Sequence, residues 1–357
     1  MTPKAAWRRP ERKLAHALRQ GMARIAMPPT PTTSPSGDER VLHVPARTIP
    51  VPQSVSAVAQ AALAIPLPPP RTWPALDDRD GWRTAIAGTD AMMLATFLRG
   101  TTDADVLVED ADFAGVRVFA ITPTKPTTKH QVYFYLHGGA LVGGGGECCR
   151  AMGILAATNA GVRTWAVDYR LPPDHPYPAA LDDCIAVYRA LLRDHRPEEI
   201  VVGGGSAGGN LAAALILRAR DEGLPLPAAA VLLSPELDLT ESGDTFNTNL
   251  GLDNVLIRRL DVFNALYAAG HDLADPYVSP LFGDFTKGFP PTFLQSGTRD
   301  MFLSNTVRMH RALRGAGVET ELHVFEAMPH GVPPGSPEDS DLNAEVRRFI
   351  DAHRPGS

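Results

Sequence analysis

Ile200-Val201-Val202-Gly203-Gly204-Gly205-Ser206-Ala207-Gly208-Gly209-Asn210-Leu211 is the stretch whose reading decides the fold. A short apolar run, 200–202, leads directly into G-x-S-x-G at 204–208, and a helix-forming stretch follows over 210–220. Strand, tight turn and helix together lift a serine clear of the backbone. Glycines around it remove the Cβ atoms that would collide in so sharp a turn. The helix start offers free N–H groups and the positive end of its dipole, which stabilise an alkoxide or oxyanion. The pentapeptide alone is common, and a glycine turn after a strand also binds phosphate. Partners elsewhere in the chain must decide between the two readings.

Working outward, short apolar runs at 116–121, 131–136, 164–167, 229–233, 292–295 and 322–325 have the length of strands. Helical patterns separate them at 149–160, 177–195, 211–220, 304–316 and 341–353. This alternation predicts an α/β fold with a mostly parallel central sheet covered by helices on both faces. Residues 238–274 break the rhythm and are expected to form a helical excursion over one end of the sheet. Ligands of open parallel sheets bind beyond the carboxyl ends of the strands, which is where Ser206 falls.

A serine hydroxyl needs a base. Among eleven histidines, His330 in Met328-Pro329-His330-Gly331 follows the last expected strand, at another carboxyl end. The base in turn needs an acid to fix its tautomer. Asp300 follows the 292–295 strand through Ser296-Gly297-Thr298-Arg299; it would also cap the next helix. Asp238, after the 229–233 strand, is the competing acid and ranks behind it. An oxyanion hole needs N–H donors aimed where charge develops. Ala207 would supply one. Gly138 and Gly139, in His137-Gly138-Gly139-Ala140 after the 131–136 strand, would supply the others, with His137 shaping the loop.

The whole chain sets bounds. Its 357 residues carry a net charge of −6, with 44% hydrophobic and 21% charged residues. That is ordinary for a globular protein, and the absence of a basic excess argues against a nucleic-acid partner. Cys148, Cys149 and Cys184 have neither disulfide-framework nor metal-ligand spacing, so a reducing, cytoplasmic setting is the simplest inference and no metal or cofactor is expected. No apolar run is long enough for a membrane span. Residues 1–24 are basic and read as a tail, and the Pro/Ser/Thr-rich 28–37 as a linker. Helix candidates at 54–64 and 82–98 complete an N-terminal appendage over 1–105, distinct from a catalytic body over 106–357.

Five segments, in this order, resemble the bacterial branch of the hormone-sensitive lipase family. These are His137-Gly138-Gly139-Ala140, Asp168-Tyr169-Arg170-Leu171-Pro172-Pro173-Asp174-His175-Pro176-Tyr177-Pro178, Gly204 to Asn210, Gly297 to Asp300, and Pro329-His330-Gly331. The resemblance spans about residues 115–350. It implies the α/β-hydrolase fold, an N-terminal helical cap, and a serine carboxylesterase that acts on short- to medium-chain esters through Ser206, Asp300 and His330. Three departures stand out: Ala140 replaces the third glycine of the first motif, Gly205 replaces an aspartate, and Asp174 replaces a glutamate. A lactone hydrolase would use the same triad, and Arg47-Thr48-Ile49-Pro50-Val51-Pro52 faintly resembles monoterpene lactone hydrolases. A ligand-binding protein on the same scaffold usually lacks a triad member. A homodimer through a helix or edge strand near the C-terminal end is compatible with the pattern.

Overall fold

The computed structural model describes residues 42–69, 71–128 and 130–355. The chain divides into two units, Met1–Ile49 and Pro50–Ser357. Of the first, only residues 42–49 are described, and they are exposed and without regular structure. The basic tail expected over 1–24 and the linker over 28–37 lie outside the described residues.

The second unit is organised by one eight-stranded sheet. Its strands are β1 (Val106–Phe113), β2 (Val116–Pro123), β3 (Val132–Leu136), β4 (Arg163–Asp168), β5 (Ile200–Gly205), β6 (Ala229–Leu233), β7 (Thr292–Gly297) and β8 (Thr320–Phe325). Their spatial order is β1-β2-β4-β3-β5-β6-β7-β8. β1–β2 and β2–β4 are antiparallel, and every later pair is parallel. The helices are α1 (Ala57–Leu63), α2 (Arg79–Thr101), α3 (Glu147–Ala160), α4 (Ala179–Asp194), α5 (Ala207–Asp221), α6 (Thr245–Thr248), α7 (Asp261–Ala268), α8 (Leu303–Gly315) and α9 (Pro337–Ala352).

Alternate strand residues serve opposite faces. Phe134, Leu136, Val202, Leu232 and Leu294 share a buried cluster with α4 and α5. Tyr133, Val201, Val231 and Phe293 point the other way, against Val346, Phe349 and Ile350 of α9. Burial on both faces is why these strands appear in the sequence as unbroken apolar runs.

Three features differ from the sequence expectation. β1 was not foreseen: Val-Leu-Val-Glu-Asp-Ala-Asp-Phe carries three acidic residues, and neither face is fully buried. It is an edge strand, joined to β2 through Ala114 and Gly115, both at positive φ as a tight hairpin requires. The excursion over 238–274 contains only α6 and α7. Elsewhere in it, side chains take the backbone donors that a helix would use: Asp253 accepts from Val255 and Leu256, and Asp272 from Ala274. Helix α2 starts before its apolar periodicity does, because Asp78 caps it by accepting from the Gly81 N–H at 2.9 Å.

Candidate active site

Ser206 sits between β5 and α5 with φ 57° and ψ −123°, a backbone region that disfavours any side chain. The surroundings hold it there. Its N–H donates to the Leu233 carbonyl at 2.9 Å, and its own carbonyl accepts from Gly209, Asn210 and Glu236 at 3.0, 3.2 and 3.2 Å. The flanking glycines are not equivalent. A Cβ on Gly204 would lie 2.2 Å from the Leu136 carbonyl oxygen, and one on Gly208 only 2.0 Å from it. A Cβ on Gly205 would have nothing nearer than the Leu233 oxygen at 3.7 Å, so the packing does not require glycine there. Behind the turn, Glu236 is buried with both carboxyl oxygens unpartnered, and burial pushes its pKa up to about 8.

The glycine loop after β3 runs beside this turn. A Cβ on Gly138 would stand 3.5 Å from the Ser206 Cβ. Gly139 has φ +133°, and a Cβ there would meet the Gly143 oxygen at 2.1 Å. Ala140 also lies at positive φ, 53°, so this departure places alanine where glycine is the less strained choice. Its methyl packs against the Phe246–Phe302 cluster on one side and the Trp82–Phe263 cluster on the other.

The loop is braced from below and above. His137 is fully buried, its Nδ1 lies 2.8 Å from the Gly138 carbonyl, and its ring stacks on Tyr169 at 3.9 Å. Burial holds His137 down to about 4, so the ring is neutral and shapes the loop. The Tyr169 hydroxyl donates to the His137 carbonyl at 2.6 Å, and Asp168 accepts from the Gly146 N–H at 2.8 Å. From α2, Asp90 accepts from the Gly144 N–H at 2.9 Å, and Trp82 packs on Val142. Asp174 pairs with Arg83 of α2, which joins the same segment to that helix. Among the described residues, His137, Cys149 and Asp168 place possible ligand atoms within 4.8 Å of one another. Burial keeps the Cys149 thiol protonated, and Asp168 is engaged by Gly146, which disfavours a cation.

Asp300 and His330 lie on turns after β7 and β8. The turns are held together by the Arg299 N–H on the Met328 carbonyl at 3.0 Å and the Ala327 N–H on the Thr298 hydroxyl at 2.7 Å. His330 Nδ1 is 3.3 Å from Asp300 Oδ1. That same oxygen accepts from the Phe302 N–H at 2.8 Å, and Oδ2 from the Ser296 hydroxyl at 2.7 Å. Burial works against the Asp300 charge, but His330 and these donors outweigh it and hold the carboxyl below its ordinary range. Burial likewise opposes an imidazolium, yet the Asp300 hydrogen bond and the charges of Asp300 and Asp253 raise His330 above its ordinary value.

Asp238, the competing acid, is turned elsewhere. Its Oδ2 accepts from Arg308 and the Ser242 hydroxyl, each at 2.6 Å. Two carboxylates were not singled out in the sequence, Asp90 and Asp253. Each is a lone aspartate with no motif of its own to mark it in the sequence.

A family model described as alpha/beta hydrolase fold matches residues 133–333. An esterase of Acinetobacter venetianus is 34% identical over 226 residues, 62% of this chain and 74% of the relative. An acetyl-hydrolase of Streptomyces hygroscopicus is 36% identical over 205 residues, 56% of this chain and 67% of the relative. The crystal structure of an esterase, E25, superposes with a TM-score of 0.82 at 37% identity, covering 89% of this chain and 100% of that one. An esterase from the bacterial hormone-sensitive lipase family gives 0.69 at 32% identity, covering 84% and 96%.

Proposed function

The chain belongs to the alpha/beta hydrolase fold family, in its hormone-sensitive lipase branch, and is a carboxylic ester hydrolase; on that premise we propose that Ser206, Asp300 and His330 carry the reaction. Asp300 holds the His330 Nδ1–H, which leaves Nε2 to accept the Ser206 proton as the hydroxyl attacks the ester carbonyl. The N–H groups of Gly138, Gly139 and Ala207 receive the oxyanion. His330 then protonates the leaving alcohol, and water cleaves the acyl-enzyme by the same route. The observation that carries this reading is the 3.3 Å approach of His330 Nδ1 to Asp300 Oδ1 on the turns after β7 and β8, in the same sheet whose β5 ends at the strained Ser206.

Short- to medium-chain acyl groups are the proposed substrates. The aromatic cluster of Trp73, Trp82 and Phe263, which packs with Ala140, is the element we assign to bounding the acyl group. We assign the cap to the part of residues 1–105 that includes α1 and α2, and catalysis to 106–357; the contacts of Asp90 and Trp82 with the glycine loop support that division. No helix among the described residues is long and apolar enough to cross a membrane. The free, buried Cys148, Cys149 and Cys184 support a cytoplasmic setting. β8 is the edge strand nearer the C-terminal end of the sheet, and we include a homodimer paired along it; a monomer in light scattering would remove that element.

Ser206→Ala should lower hydrolysis of a short p-nitrophenyl ester by roughly 10⁴-fold or more, and a fluorophosphonate should label the parent protein but not the variant. Near-normal turnover in the variant would sink the assignment. Asp300→Asn should be severely impaired and Asp238→Asn close to the parent; the reverse pattern would exchange their roles.

A further inference from the structure

One buried carboxylate touches both turns that bear the acid and the base. Asp253 is fully buried in the loop between α6 and α7. Its Oδ1 accepts from the Val255 and Leu256 N–H groups, both at 2.9 Å, which shapes its own turn. Its Oδ2 reaches out of that turn. It accepts from the Met301 N–H at 3.0 Å and from the His330 N–H at 3.2 Å. Met301 directly follows Asp300, so a single oxygen joins the backbone of the acid turn to the backbone of the base residue. Asn249, four residues earlier, braces the same acid turn by donating to the Thr298 and Asp300 carbonyls at 3.2 and 2.8 Å.

Resting on the triad reading above, we propose that Asp253 is a positioning residue: its carboxylate staples the Asp300 turn to the His330 turn and so fixes the imidazole between Asp300 and Ser206. A local turn needs only one acceptor oxygen, and neutral Asn or Ser supplies that. A buried carboxylate is costly to desolvate. Here four N–H donors converge on it, two of them from residues 48 and 77 positions away, which neutral side chains of similar size could not all satisfy. Small displacements of a general base are expensive in rate, because the proton transfer tolerates little misalignment.

The charge has a second, separable effect. The charged groups that face His330 among the described residues are Asp300, on the turn after β7, and Asp253. Both favour the imidazolium. Removing either negative charge therefore lowers the pH at which His330 loses its proton, and the acid limb of the rate profile must move to lower pH.

The test is the pH dependence of kcat and kcat/KM for a short p-nitrophenyl ester in Asp253→Asn and Asp253→Glu, with Ser206→Ala alongside. For Asp253→Asn, kcat should fall roughly 10- to 100-fold with KM little changed, as expected for a misaligned base, and the acid limb should shift downward. Asp253→Glu should keep the limb near the parent position, since the charge remains, while kcat still falls about tenfold. A folded Asp253→Asn with parental kcat and an unmoved limb, next to an inactive Ser206→Ala, overturns the proposal and leaves the triad intact. An active Ser206→Ala overturns the triad reading and this inference with it. If Asp253→Asn does not fold, a parental kcat in Asp253→Glu overturns the proposal.

Discussion

The two glycine turns that flank the candidate site are built on opposite principles. The turn around Ser206 is locked into the sheet: Gly204 and Gly208 both press on the Leu136 carbonyl, and Ser206 is hydrogen-bonded to the end of β6. The loop from His137 to Gly146 leaves the sheet and is held by side chains from elsewhere, Asp90 of α2, Tyr169 and Asp168. The first turn is fixed by backbone against backbone, which cannot yield. The second closes on itself through the Val142 and Gly143 N–H groups on the Gly139 carbonyl and is tied to the rest of the chain by long-range side-chain hydrogen bonds. Stability should therefore be concentrated in the nucleophile turn, and activity should be tunable through the oxyanion loop.

Substitutions can break that contrast. The largest effect is expected for Gly208→Ala, whose Cβ would lie 2.0 Å from the Leu136 oxygen with no flexible side chain to give way. Destabilisation by more than about 4 kcal/mol should prevent accumulation of folded protein; a parental melting temperature would refute the locked-turn picture. Gly139→Ala brings a similar overlap, 2.1 Å to the Gly143 oxygen, together with strain at φ +133°. Here the loop can shift, so the fold should persist while kcat/KM drops roughly a hundredfold, the scale of a lost oxyanion donor.

Asp90→Asn is the milder probe of the same loop. It weakens the tether on the Gly144 N–H without altering shape, and a loss of roughly three- to tenfold in kcat/KM is expected from about 1 kcal/mol of hydrogen-bond energy. An unchanged rate would show that the loop holds itself. Gly205→Ala sharpens the comparison from within the nucleophile turn. An ordinary van der Waals contact at that Cβ, 3.7 Å from the Leu233 oxygen, predicts activity within about twofold of the parent and no significant change in melting temperature, since a side chain there meets no clash.

Much of this was legible in the residues. The order of strands and helices from 116 onward follows from apolar runs whose period and length are local properties. Ser206, Asp300 and His330 share one logic, each on a turn after a strand that belongs to a parallel sheet. β1 escaped because an edge strand with two half-exposed faces need not be apolar. Asp253 and Asp90 escaped for another reason. A lone aspartate looks the same in sequence whether it faces water or the backbone of a distant turn, and only packing distinguishes Asp253 from Asp238, which pairs with Arg308. The oddity at Gly205 is likewise resolved in space: glycine is permitted there and not demanded, in contrast to Gly204 and Gly208.

The sequence by itself thus determined the sheet from β2 onward, the nucleophile turn and the identity of the residues proposed to act, because hydrophobic period and turn chemistry operate over a few residues. The tertiary structure decided what the carboxylates meet: Asp300 against His330, Asp253 across both turns, Asp90 on the glycine loop. Those choices join positions tens of residues apart, and burial turns an ordinary aspartate into a fixed acceptor only after the chain has folded around it.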